Sequence, residues 1–292
     1  MRGADRSRCI REGSLVGEGP IVYWMNRDMR LEDNWALLYA VDWARSTKRG
    51  LIVVYNLESR YEGGRARHAW FKLEALKELA ERAHERSLSF TVMAGEKSLD
   101  QMIKAMHSWK VAGWVTDACP LRIAKTWQHK VDAALQVPAV EVDAHNVVPY
   151  WIASPKLEFA AYTLRPKIHA LLARFLTDIP SFTTGGLAHV VLPRIDWKGI
   201  EQVCTPDNEG IHWITPGAKA AHRAMRTFID EGLASYDEDR NDPTKEGQSD
   251  LSPWLHYGQL SAQRVAWEVQ RSHASLGNRE AFLEELIVRR EL

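Results

Sequence analysis

The sequence predicts an α/β, doubly wound, parallel, five-stranded domain followed by a truncated all-α domain. Three observations lead there. Short apolar runs rich in β-branched residues alternate with segments of helical period from Pro20 to Asp143. From Thr215-Pro216 onward every periodic segment is helical. The 292 residues exceed the roughly 250 at which one core usually divides into two.

The strands are expected at Ile21–Met25, Leu51–Tyr55, Phe90–Met93, Gly113–Thr116 and Val140–Val142. Between the second and third, Ala69, Phe71, Leu73, Leu76, Leu79, Ala80 and Ala83 recur at helical spacing. Lys72, Glu74, Lys77, Glu78 and Glu81 occupy the opposite face, so a crossover helix is expected. Sheets of this kind bind ligands beyond the carboxyl ends of their strands, here after Met25, Tyr55, Met93 and Thr116. Residues 1–18 read as an extension and 19–180 as the α/β domain. Within it Ser154 and Pro155, as N-cap and first helical residue, open a helix reaching about Phe175. Residues 181–214, with Gly185-Gly186, Pro193, Pro206 and Gly210, read as an irregular linker.

Residues 215–292 form the helical domain. Ala221, Met225, Phe228, Ile229 and Leu233 share one face, Ser252-Pro253 and Ser261 start two further helices, and Asn278 starts the last. That last helix runs to Leu292 with no Gly or Pro to cap it and with Leu286 and Ile287 in want of a partner, so a truncated domain is expected.

Composition narrows the function classes. Hydrophobic residues at 45% and charged ones at 26% exclude a disordered or fibrous chain. No uncharged apolar run reaches about 18 residues, and Met1–Val16 carries six charges where a signal peptide needs an apolar run. A cytoplasmic protein is expected. Cys9, Cys119 and Cys204 are widely separated without a C-x-x-C, so reduced thiols and no metal are expected. A formal net charge of zero offers no footprint for nucleic acid, and any such claim rests on motifs. Twelve Trp suit large cores, stacking or redox chemistry alike.

The densest motif runs from Ser235 to Ser261. Gly247-Gln-Ser-Asp-Leu-Ser252 is a polar turn feeding a helix with Ser252 as N-cap and Pro253 at its first position. Hydroxyls and free N–H groups there suit a phosphate; the same pattern also describes an ordinary capped helix start. Glu285 and Arg289 are an i,i+4 pair, which by itself reads as a surface salt bridge.

Tyr236 together with the polar loop and Leu251-Ser-Pro-Trp-Leu-His-Tyr-Gly258 resembles the flavin-binding motif of photolyases and cryptochromes. Three more stretches, Val22–Ala40, Val142–Pro149 and Phe282–Leu292, resemble class II cyclobutane pyrimidine dimer photolyases in particular; Val288, where other branches carry Trp, agrees with that branch. The resemblance implies a light-driven lyase, in which reduced, anionic flavin adenine dinucleotide (FAD) passes an electron to a dimer flipped out of DNA. It implies Tyr236, Gln248, Ser249, Leu251 and Ser252 around the FAD, Arg289 near the flavin, and Glu285 as the catalytic residue facing the lesion. It also implies an antenna role for the α/β domain, with an unidentified pigment beyond Trp24–Asp28; a polar strand end with no ligand is the plain alternative there. DNA containing pyrimidine dimers is the expected partner of a monomer without membrane or metal. Two other functions fit parts of the chain: a cryptochrome-like photoreceptor, and a stand-alone nucleotide-binding module in residues 19–180.

Overall fold

The computed structural model describes residues 1–58, 66–204 and 213–291. Strand β1 is Ser7–Arg11, β2 Ile21–Trp24, β3 Leu51–Leu57, β4 Ser89–Ala94, β5 Gly113–Asp117 and β6 Ala139–Val142. They form one six-stranded sheet in the order β1-β6-β5-β2-β3-β4. Five strands are parallel, as expected, with β2 at the centre between β3 and β5. The expected count of five is corrected to six, because β1 pairs antiparallel with β6 and closes one edge.

Helices α1 (Trp35–Ser46), α2 (Ala66–Glu85), α3 (Ser98–Ser108) and α4 (Arg122–Leu135) follow the strands and cover the sheet. Every residue of β2, β3 and β5 is buried, which is why these strands read as nearly unbroken apolar runs. On one face Val22, Trp24, Ile52, Val54 and Trp114 pack against Leu99, Met102, Met106 and Val131. Asn34 caps α1 by accepting from the Leu37 amide at 3.0 Å.

After β6 come α5 (Tyr150–Ala153) and α6 (Ala161–Phe175). Ser154 does not open the longer helix as expected. Proline disfavours helical geometry in the residue before it, and Ser154 is extended (φ −152°, ψ 137°) as the C-cap of α5. The N-cap of α6 is Ala160.

The expected linker also holds structure. Gly50 bridges Ala188, the Ser89 hydroxyl donates to the Val190 carbonyl at 2.7 Å, and α7 (Trp197–Cys204) packs on α2 and β4. Pro206 and Gly210 lie outside the described residues. The chain divides into two compact units along lines other than the expected domain boundaries. Met1–Asp143 and Ser181–Gly217 form the sheet unit, while Ala144–Pro180 joins Ala218–Leu292 in the helical unit.

The helical unit continues with α8 (Ala218–Thr227), α9 (Tyr236–Asp239), α10 (Ser252–His256), α11 (Ala262–Arg271) and α12 (Leu276–Leu283). A π turn, Phe228–Gly232, and a short 3-10 turn link α8 to α9. Ser261 caps α11 as expected, accepting from the Arg264 amide. Two expected caps move. Leu251, not Ser252, precedes α10, and Ser275, not Asn278, caps α12, accepting from the Asn278 amide at 3.3 Å. The last helix is also not uniform: α12 gives way to a π turn, Glu284–Val288, and a 3-10 turn, Arg289–Glu291. Leu286, Ile287 and Val288 are buried there, so the two residues expected to lack a partner find one. Leu292 lies outside the described residues. Among the described residues no helix is long and apolar enough to cross a membrane.

Candidate active site

Tyr236 begins α9 inside an aromatic cluster. Its ring meets Phe228 edge-on with centroids 5.6 Å apart and Phe282 edge-on at 5.2 Å, while Phe228 and Phe282 stand 4.8 Å apart. Such geometry aims ring edges at ring faces and adds to what burial alone contributes. The Tyr236 hydroxyl is pushed above the usual phenol range, first by burial and then by the Glu285 charge; the charge of Arg240 and its hydrogen bond oppose this.

Arg240 is the hub that sequence reasoning missed. Its Nη1 donates to Glu285 Oε1 at 3.0 Å, and its guanidinium lies 5.9 Å from the centroid of the Tyr236 ring. The Gln248 side-chain amide donates to the Arg240 carbonyl. Arg240 therefore gathers Tyr236, Gln248 and Glu285 into one cluster, and its own Nε has no acceptor among the described residues. The available signal was spacing, since Arg240 lies one helical turn after Tyr236.

Glu285 sits on the π turn that follows α12. Arg289 Nε approaches the same Oε1 at 3.5 Å, so the expected i,i+4 pair forms and a second cation joins it from Arg240, the C-cap of α9. The neighbouring Glu284 takes a bidentate contact from Arg165 of α6, with Nη2 to Oε1 at 2.6 Å and Nε to Oε2 at 3.0 Å. That hydrogen bond holds the Glu284 carboxyl below the usual range. The two adjacent carboxylates are thus held by different cations: Glu284 by Arg165 of α6, and Glu285 by Arg240 at the end of α9 and by Arg289. The Glu285 side chain keeps 39% of its surface open to solvent, leaving it within reach of a ligand.

The loop from Gly247 to Ser252 leads from this cluster into α10. At Gly247 a Cβ would lie 2.5 Å from the Asp239 main chain, so only glycine lets the loop pass α9 this closely. Asp250 is left-handed (φ 54°), a conformation that Asp tolerates better than most residues. Gln248 and Ser252 are exposed and Ser249 is half-buried. Leu251 is fully buried, and its amide reaches Ser249 Oγ only at 3.5 Å. Of the predicted residues, Tyr236, Gln248, Glu285 and Arg289 therefore meet around Arg240. Ser249, Leu251 and Ser252 lie farther along the loop.

At the carboxyl end of the sheet, Trp24–Asp28 is tied to β5. Asp117 Oδ2 accepts the main-chain amides of Asn26, Arg27 and Asp28 at 2.8–3.0 Å, and its Oδ1 accepts the Tyr23 hydroxyl at 2.5 Å. Burial, followed by the Asp28 charge, raises Asp117 to about 7, against the pull of these donors. Asp28 forms a buried ion pair with Arg30 at 2.6 Å. This polar network is mostly internal and orders the loop.

Residues 21–184 match the family model described as DNA photolyase. The chain is 39% identical over 277 residues to the deoxyribodipyrimidine photo-lyase of Potorous tridactylus, covering 93% of this chain and 52% of that protein. With the enzyme of the same name from Arabidopsis thaliana it shares 37% over 308 residues, covering 98% and 61%. The crystal structure of a class III photolyase from Agrobacterium tumefaciens has the same fold, with a TM-score of 0.69 at 20% identity over 95% of this chain and 58% of that one. The chain thus spans about half to three fifths of the length of the relatives it matches. With a six-stranded α/β unit, a helical unit centred on Tyr236 and Glu285, and a family match over more than half its residues, the chain belongs to the DNA photolyase family.

Proposed function

We propose that this protein repairs cyclobutane pyrimidine dimers in DNA under light, as a class II-type photolyase, with FAD held by the helical unit and Glu285 facing the lesion. The observation that carries this reading is the anchoring of Glu285. One carboxylate oxygen is held by Arg240 and Arg289 while much of the side chain remains exposed, in a chain of photolyase lineage. A carboxylate fixed in this way can receive the N–H edge of a pyrimidine without first paying for its own ordering.

The loop residues suit the phosphate and ribityl end of FAD. Gln248 and Ser252 present an amide and a hydroxyl at the surface, with the Ser249 hydroxyl between them. Leu251 and the Tyr236 ring are committed to the core, so their part is to shape the loop and the floor beneath it. When bound and reduced, FAD would supply the electron on illumination, with Gln248, Ser249 and Ser252 holding its phosphate and ribityl end. Glu285 orients the dimer, Arg240 and Arg289 hold Glu285, and the buried Leu286–Val288 segment fixes the turn that carries it. Flipping the dimer out of the duplex costs a few kcal/mol, less than for an intact step. The sheet unit is the antenna side of this reading, with its pigment beyond the Trp24–Asp28 loop.

The test combines the purified chain with FAD, photoreduces it, and adds a dimer-containing oligonucleotide in near-ultraviolet light and in darkness. Flavin retention together with light-dependent restoration of the pyrimidines supports the reading. Retained flavin with dimers intact in both conditions overturns repair and leaves a light sensor.

A further inference from the structure

Glu284 and Glu285 are consecutive carboxylates, and both come within reach of one cation. They open the π turn Glu284–Val288, whose i→i+5 winding brings Arg289 over Glu284 as well as Glu285. The Arg289 main-chain amide follows this winding and donates to the Glu284 and Glu285 carbonyls together. Its side chain does the same: Nε lies 3.5 Å from Glu285 Oε1 and 4.0 Å from Glu284 Oε1. That nitrogen carries a single hydrogen, so the two carboxylates compete for it.

Arg165 decides that competition. From α6 it grips Glu284 with two nitrogens: Nη2 donates to Oε1 at 2.6 Å, and Nε reaches Oε1 at 3.1 Å and Oε2 at 3.0 Å. The oxygen it holds most closely, Oε1, is the one that approaches Arg289. The Arg165 hydrogen bond, working against burial, keeps the Glu284 carboxyl below its usual range; the charges of Arg165, Arg289 and His169 act in the same direction. Glu284 therefore stays anionic, and without Arg165 the next cation open to it is Arg289. A two-nitrogen grip of this kind fixes geometry as well as charge. At side-chain exposures of 37% and 22% the pair adds little to stability. Its consequence lies in which carboxylate Arg289 serves.

We propose that Arg165 is a positioning residue for Glu285: by occupying Glu284 it leaves Arg289 to Glu285, whose carboxylate is then held by two cations in the orientation that receives the pyrimidine. The inference rests on the reading of Glu285 as the group that faces the lesion. A side chain already fixed loses less freedom when its ligand arrives. Drawing one of its two anchors away therefore weakens preference for the dimer and leaves contact with ordinary DNA as it was.

The test measures, in darkness and by fluorescence anisotropy, the affinity of the FAD-treated full chain for a dimer-containing duplex and for its undamaged counterpart. Arg165→Met is expected to lower the preference for the dimer by roughly three- to thirtyfold, and Glu284→Gln to keep the preference of the parent. The combination Arg165→Met/Glu284→Gln is expected to regain it, because the competing charge is gone. In Glu285→Gln, whose preference is already lost, adding Arg165→Met should change nothing further. Melting temperatures close to the parent's establish that the variants are folded. Undiminished preference in Arg165→Met, with Glu285→Gln impaired, overturns the inference and leaves the reading of Glu285 standing. A loss in Arg165→Met that Glu284→Gln does not restore assigns Arg165 to holding α6 against the turn, and overturns the inference as well. A parent without preference, or a Glu285→Gln variant that keeps it, overturns the reading of Glu285 and the inference together.

Discussion

Tyr236 answers two demands at once. Its ring completes an edge-to-face cluster with Phe228 and Phe282, while its hydroxyl meets Arg240 beside Glu285. The two demands separate by substitution. Tyr236→Phe keeps the cluster and should leave the denaturant midpoint nearly unchanged, whereas Tyr236→Ala should cost about 3–5 kcal/mol through the cavity it leaves. A comparable loss in both variants would show that the hydroxyl, and not the ring, carries the stability. Asp117 gives a second residue-scale prediction. Its native carboxyl titrates near 7, against about 3.9 in an unfolded chain. Between those values the folded protein holds a proton that the unfolded chain has lost, so stability falls as pH rises through that window. Asp117→Asn should flatten the decline, which is at most about 1.4 kcal/mol per pH unit; melting temperatures across the window measure it, and an unchanged slope would assign the effect elsewhere.

At the scale of elements, the strands that the sequence revealed carry apolar runs, fully buried in β2, β3 and β5 and partly buried in β4 and β6. β1 escaped notice for the opposite reason. It presents Ser7, Arg8 and Arg11, and satisfies them by donating the Ser7 hydroxyl to the Ala4 carbonyl and pairing Arg8 with Glu141 and Arg11 with Asp132. Polar partners supply what an apolar pattern would have announced. Removing residues 1–11 should therefore leave the edge of β6 unpaired, lower the melting temperature, and promote association that light scattering detects. A truncated protein with the parent's melting temperature and no aggregation would deny β1 that role. Helix starts show the same limit on a finer scale. Ser261 was legible, but Ser154, Ser252 and Asn278 were each assigned a cap or start that neighbouring residues decide. Ser275→Ala should cost about 1 kcal/mol in denaturant unfolding, since it removes the acceptor for the Asn278 amide; Asn278→Ala, which leaves that amide bond in place, separates the cap from the other contacts of Asn278. Of the cluster around Arg240, the family motif singled out Tyr236, Gln248, Glu285 and Arg289, whose roles are those proposed above. Arg240 was not singled out, because its role depends on three contacts brought together only by the fold.

For the whole molecule, a zero net charge conceals opposing local balances, and the positive stretch before and along α6 belongs to the same compact unit as Glu285. On the proposed reading, binding to undamaged DNA should weaken as salt rises, and preference for the dimer should be lost with the Glu285 carboxylate. The most direct measurement is single-turnover repair of a dimer-containing oligonucleotide in near-ultraviolet light by the flavin-loaded protein and its Glu285→Gln variant, with matched flavin content. A hydrogen bond from a charged group contributes about 1.5–3 kcal/mol, so the variant should be slower by roughly tenfold or more. Equal rates in the two proteins would contradict the placement of Glu285 at the lesion.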